Sequence, residues 1–117
     1  ISDRDASFKQ TLKNYEFFNA PCVIIITSPK NLGPYGLLDC GAFITALTLA
    51  ATAIGIASIP QAAIAGVAPV VREFLGLSST RDIVCAVSLG YPDVNNPVNK
   101  FRTTRANEQY LIKENIT

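Results

Sequence analysis

The chain contains no histidine, and that gap narrows its chemistry more than any residue it holds. Ser-His and Cys-His nucleophile pairs are excluded, and with them most zinc and iron site designs. Any chemistry must come from elsewhere, and a bound cofactor is the natural carrier. Charge is scarce as well: charged residues make up 16% of the composition and the net charge is +1. Without a basic stretch there is no electrostatic footprint for nucleic acid, so a nucleic-acid partner is not expected. Methionine is absent and position 1 is Ile, so the sequence reads as a processed or partial chain. The segment Ile1 to Lys13 has no apolar run of the kind a retained secretory signal requires. At 117 residues, one domain with one core is the most the chain can build.

Cysteine is sparing too. Cys22, Cys40 and Cys85 are an odd number at wide spacing with no C-x-x-C pair, each beside small or apolar neighbours. They read as buried free thiols of a reducing compartment, which makes a cytoplasmic location the expectation.

What the chain has in quantity is uncharged, small and apolar sequence. Not one residue from Cys40 to Val71 is charged, so this window must be tested against a membrane span. Between its strongly apolar members lie mostly Ala, Thr, Gly and Ser, which drive insertion poorly. Asp39, rather than a basic cluster, precedes it, and Pro60 follows. A membrane partner is therefore not expected. The pattern predicts a helix from Gly36 to Ile54, ended by Gly55, apolar on every side and so buried all round. Its alanines, Ala42, Ala46, Ala50, Ala51 and Ala53, would let another backbone approach closely, as a subunit interface requires.

Strands are predicted at Cys22 to Thr27, bounded by Pro21 and Pro29, and at Asp82 to Leu89, stopped by Gly90-Tyr91-Pro92-Asp93. A short helix is predicted from Pro69, with Gly76 as its stop. Another is expected over Asp5 to Asn14. Asp93 to Lys100 reads as a surface loop, and Phe101 to Lys113 as an extended tail that docks on something.

The glycines Gly33, Gly36 and Gly41 fit neither G-x-G-x-x-G nor G-x-x-x-x-G-K-[ST], so turns and helix entry explain them better than a phosphate loop. Asp39 is expected at a helix start and Glu73 beside a basic neighbour, both in structural roles. Two segments stand out. Ile59-Pro60-Gln61-Ala62-Ala63 has short side chains that leave its backbone reachable, so a flat polar-edged ring could take hydrogen bonds from its amides; the simpler reading is a loop between helices. Lys100-Phe101-Arg102-Thr103-Thr104-Arg105 combines two guanidiniums, an ammonium and two hydroxyls, a credible phosphate grip, against the simpler reading of a solvated basic surface.

Taken in order, Phe17-Phe18-Asn19-Ala20-Pro21, Leu38-Asp39, Leu49-Ala50-Ala51 with Gly55, Pro60-Gln61-Ala62-Ala63, Val71 to Leu77, Leu89 to Asp93 and Phe101 to Arg105 resemble the C-terminal half of the FMN-dependent nitroreductase family. The nitrobenzoate-type branch is nearest, and the likeness runs from Asn14 to Ile112. It implies that residues 1–117 are the C-terminal part of one nitroreductase-like domain whose N-terminal half is absent from the sequence. The implied fold is α+β, a mainly antiparallel sheet flanked by helices, assembled as an intertwined homodimer with FMN at the interface. The implied activity is ping-pong reduction of nitroaromatics, quinones or similar small aromatic acceptors with NAD(P)H, without an obligatory acid or base side chain. By position, Pro60, Gln61, Ala62 and Ala63 would lie against the isoalloxazine, with main-chain amides near its N5 edge. Arg105 would grip the FMN phosphate. A second basic residue common in the family falls here on Thr103, so Arg102 would take over that role. The chain also lacks the family's N-terminal flavin-binding segments, so alone it is expected to bind FMN poorly and to be inactive. A non-catalytic dimerising or binding module that has lost its flavin is the alternative on the same fold.

Overall fold

A computed structural model describes residues 3–107. Its centre is β3 (Arg81–Gly90), a ten-residue strand with antiparallel partners on both sides, β1 (Cys22–Pro29) and β2 (Ala57–Gln61). The order β1-β3-β2 leaves both outer strands with an open edge. Both predicted strands are present and run somewhat longer than their apolar cores, because Ser28, Pro29, Arg81 and Asp82 stay in register. Between Ile26 and Thr27 of β1 the register slips. Ile26 pairs with Cys85 and Thr27 with Ile83, so Val84 is an extra residue on β3 and forms a β-bulge.

The bulge sorts the side chains onto two faces. Ile24, Ile26, Cys85, Val87 and Leu89 point to one side, where Cys40, Ile44 and Leu47 of α2 cover them. Val23, Ile25, Ile83 and Ala86 point to the other, where Ile64, Ala68, Val71 and Leu77 close over them. Each face thus has its own small apolar cluster, and Val87 and Ala86, one per face, are fully buried. Burying each large apolar side chain here contributes about 1.5–3 kcal/mol.

Helix α2 (Gly33–Ala53) starts three residues before its expected position, because Pro34 occupies the first turn, where its missing N–H costs nothing. Gly36 faces the sheet so closely that a Cβ there would lie 2.1 Å from Ser28 Oγ. That approach seats the helix on β1, and Gly36, Cys40, Ile44, Leu47 and Ala51 continue the contact at helical spacing. The expectation that α2 is buried all round does not hold in the single chain. Leu38 and Leu49, exposed by 70% and 67%, lie on the side away from the sheet, and Phe43, on the sheet-facing side beside Cys40, is still 55% exposed. The helix is apolar all round, but its sequence cannot say which sides this chain itself covers. Together with the 3₁₀ turn Lys30–Leu32 that precedes it, the helical segment Lys30–Ala53 is long and apolar enough to cross a membrane by length and composition alone.

The remaining elements are short. Helix α1 (Arg4–Leu12) is capped by the Asp3 carboxylate, which accepts from the Ala6 amide at 3.0 Å. Helix α3 (Ala68–Leu75) carries Pro69 in its first turn and stops at Gly76, whose φ of 62° few other residues adopt readily. Asp39 lies well inside α2 rather than at its start, so it does not complement a helix terminus. Of the three thiols, Cys85 is buried and Cys40 half-buried, but Cys22 is exposed, contrary to expectation. Cys22 opens an outer strand, so its apolar neighbours in sequence do not enclose it in space.

Candidate functional site

The proline segment is not a loop between helices. Ala57 to Gln61 form an edge strand, and a 3₁₀ turn over Ala62–Val67 follows at once. Proline inside a strand is tolerated only where its nitrogen faces away from the neighbouring strand. Pro60 pairs with Val87, so its ring nitrogen faces the open edge of the sheet. Strand alternation then turns the Gln61 amide toward β3 and the Ala62 amide outward. In a 3₁₀ turn the i→i+3 pattern leaves the leading amides, those of Ala62 and Ala63, without an acceptor inside the turn. Pro60 and Ala62 are exposed and Ala63 is half-buried, all with short side chains. The result is a narrow backbone ledge at the outer corner of the sheet.

Gln61 differs from its neighbours: its side chain is 2% exposed and turned into the molecule. Its Nε2 donates to the main-chain oxygen of Asn14 at 2.8 Å, and its Oε1 accepts from Ser88 Oγ. Main chain and side chain of Gln61 are thus both buried, the one against β3 and the other in these two hydrogen bonds. No buried side-chain polar atom of a non-exposed residue lacks a partner among the described residues.

The basic segment lies elsewhere. After a 3₁₀ turn at Pro97–Lys100, Phe101 to Asn107 follow without regular structure, and Arg102 and Arg105 are both exposed. Arg102 Nη1 donates to the carbonyls of Asn99 at 2.6 Å and Phe101 at 2.9 Å. Arg105 Nη1 donates to Thr103 Oγ1 and, at 3.4 Å, to the Thr104 carbonyl. These bonds stay local to residues 99–105, and among the described residues none of them ties the two arginines to the ledge. The stretch expected to dock through Tyr110, Leu111 and Ile112 lies outside the described residues.

An open groove of about 470 Å³ separates β1 from α2, lined by residues including Ile24, Ile26, Leu32, Cys40 and Phe43, with Asp39 at its rim. It lies on the opposite sheet face from Gln61 and Ser88 and includes none of the expected site residues. Among the described residues no cluster of His, Cys, Asp or Glu could hold a metal ion. Among the described residues the arrangement therefore offers backbone donors and exposed guanidiniums.

With this geometry in view, comparison with known proteins is decisive. The model of the nitroreductase family matches residues 1–91. The chain belongs to the nitroreductase family. The match ends before the tail arginines, so family membership rests on the sheet, α2 and the ledge. The 4-nitrobenzoate reductase of Pseudomonas putida is 40% identical over 92 residues, which are 79% of this chain and 40% of that protein. The FMN-dependent nitroreductase NfnB of Mycobacterium smegmatis, solved in complex with NADPH, is 31% identical with a TM-score of 0.90. The FMN and NADPH-dependent nitroreductase NfnB of Sphigopyxis sp. strain HMH is 26% identical with a TM-score of 0.94. In both structures the likeness covers 99% of this chain and 52% of the other. The chain thus spans about two fifths of the length of this curated relative and about half of these solved ones. The α+β nitroreductase fold expected from the sequence is the fold observed. The sequence motifs by themselves reveal neither the edge-strand nature of the ledge nor the buried hydrogen bond from Ser88 to Gln61. Pro60 was the available signal for the first, since proline in a short apolar run points to an outer strand.

Proposed function

We propose that this chain is part of an FMN-dependent oxidoreductase that reduces nitroaromatics, quinones or similar acceptors with NAD(P)H. The observation that carries the reading is the ledge: in a chain of this family, the Ala62 and Ala63 amides stand free beside short side chains at an exposed corner. A planar, electron-poor ring with a polar edge fits such a surface, because fixed neutral donors favour negative charge that develops on it. When bound, FMN would supply hydride transfer in two alternating half-reactions, one with NAD(P)H and one with the acceptor.

The chain's own residues would bind and orient. Pro60 would form the flat floor, Gln61 would fix the strand end behind it, and the Ala62 and Ala63 amides would hold the ring edge. Arg105, assisted by Arg102, would pair with the phosphate, since both guanidiniums are exposed and tethered only to local carbonyls and a hydroxyl. With no histidine in the chain, the proposal assigns the hydride chemistry to the flavin and leaves binding and orientation to the protein.

A homodimer in the cytoplasm is part of the same proposal. Leu38, Ala42, Ala46, Leu49 and Ala53 run along α2 opposite the stripe that meets the sheet, and this uncharged face is exposed in the single chain. Apolar surface of this kind marks an interaction site, and its alanines permit close approach of a second α2 about a two-fold axis. A soluble subunit interface accounts for the composition of this helix better than lipid does, because alanine and threonine gain little from hydrocarbon.

The test is acceptor-dependent oxidation of NADH or NADPH by the full-length protein supplied with FMN. Turnover with a nitroaromatic or quinone is expected. Absence of turnover with FMN present would contradict the reading and favour a module that dimerises or binds without flavin chemistry.

A further inference from the structure

The ledge is held from behind by a buried polar chain, Ser88 to Gln61 to Asn14, that no catalytic role requires. In the ladder Ser88 lies opposite Ile59 and Gln61 opposite Ala86, so Ser88 and Gln61 are diagonal neighbours on one face of the sheet. Both are 2% exposed. The orientation of the Gln61 amide is dictated by its partners. The Asn14 main-chain oxygen can only accept, so it must meet Nε2, and Oε1 is left to accept from the Ser88 hydroxyl.

The far end of the chain is anchored as well. The Asn14 oxygen also accepts from the Phe17 amide at 3.3 Å, at the entrance to three consecutive left-handed residues, Phe17, Phe18 and Asn19. L-residues resist that conformation, so the turn persists because its surroundings hold it. Phe17 packs against the Ile64, Ile83 and Ala86 cluster, and the Gln61 amide pins Asn14 from the other side. The chain therefore ties three things together: the central strand, the turn before β1, and the residue that ends the edge strand.

We propose that Ser88 is a positioning residue for flavin binding, acting through Gln61 to fix where the strand ends and hence where the Ala62 and Ala63 amides point. This rests on the flavin reading of the ledge. Pairing with β3 and the buried Ile64 fix the course of the chain on either side of Gln61, and at Gln61 itself a buried amide with both ends bonded cannot turn without leaving a polar atom unpaired. Loss of the Ser88 hydroxyl would leave Oε1 buried and unsatisfied, and the ledge would loosen where the amides must be fixed.

The experiment compares wild type, Ser88→Ala and Ser88→Thr, the last keeping the hydroxyl. Amide hydrogen exchange is read residue by residue, and in the full-length protein FMN affinity and the absorption spectrum of the bound flavin are read alongside. In Ser88→Ala, exchange at Gln61, whose main-chain amide faces β3 at the end of the edge strand, should quicken about tenfold while Ile24, Ile26 and Val87 keep their protection. FMN binding should weaken by a similar factor with an altered flavin spectrum, and Ser88→Thr should restore the wild-type values. If wild type binds FMN and Ser88→Ala binds it with unchanged affinity and spectrum, the positioning role is wrong and the flavin reading stands. Exchange that rises equally across the whole sheet would also overturn it, since Ser88 would then serve only the fold. If wild type itself takes up no FMN, the flavin reading falls and this proposal falls with it.

Discussion

Cys85 shows how one residue's surroundings decide its chemistry. Burial pushes its thiol above the ordinary value of 9.0, and the nearby Cys40 adds to the rise. A raised thiol pKa in the folded state means that the native protein holds the proton more tightly than the unfolded chain. Its contribution to stability is present below about pH 9 and is lost as pH climbs past the folded value. Two consequences can be measured. Alkylation followed by peptide mass mapping should label Cys22 first, Cys40 next and Cys85 last, following their exposed, half-buried and buried positions. Unfolding titrations above pH 9 should show stability falling, and Cys85→Ala should remove part of that slope. Equal labelling of Cys22 and Cys85 in the native protein would contradict the placement. The sequence pointed to burial for all three thiols from their apolar neighbours, which succeeded for Cys85 and failed for Cys22. Neighbours along a strand point to the opposite face, and only the topology reveals that β1 is an outer strand.

At the scale of elements, α2 carries a long exposed apolar face, with Leu38 and Leu49 uncovered in the single chain. Its sequence is apolar on every side, and one stripe, from Gly36 to Ala51, rests on the sheet. The opposite stripe is what the dimer proposal uses. Leu49→Glu, a residue 67% exposed in the single chain, should leave the fold intact by circular dichroism and convert the dimer to monomer in sedimentation. A charge buried in an apolar interface without a partner costs several kcal/mol. An unchanged dimer would place the interface elsewhere. The extent of α2 was legible from composition and from Gly55, whereas its start was misplaced because Pro34 reads equally well as a turn residue. The edge strand β2 was not legible as a strand. Five residues with one proline and a single large aliphatic residue give no alternation to detect, and their pairing is with residues nearly thirty positions away. The bulge at Val84 was equally hidden, since it is a property of two strands and not of either alone.

For the molecule as a whole, family and fold were readable because seven short motifs keep their order along the chain, and the family match over residues 1–91 agrees. The proposed flavin site was readable only as positions. Nothing in the sequence showed that Gln61 turns its side chain inward, or that the Arg105 hydrogen bonds among the described residues go to Thr103 and Thr104 rather than to the ledge. Those facts belong to three-dimensional packing, and the union of tail and ledge belongs to whatever brings them to one ligand. The most direct measurement is an FMN titration of the full-length protein beside its Arg105→Ala variant. The account predicts stoichiometric uptake by wild type and binding weaker by about 1.5–3 kcal/mol in the variant, the loss of one charge-assisted phosphate contact. A wild-type protein that takes up no flavin, or an Arg105→Ala variant that binds it equally well, would contradict the account.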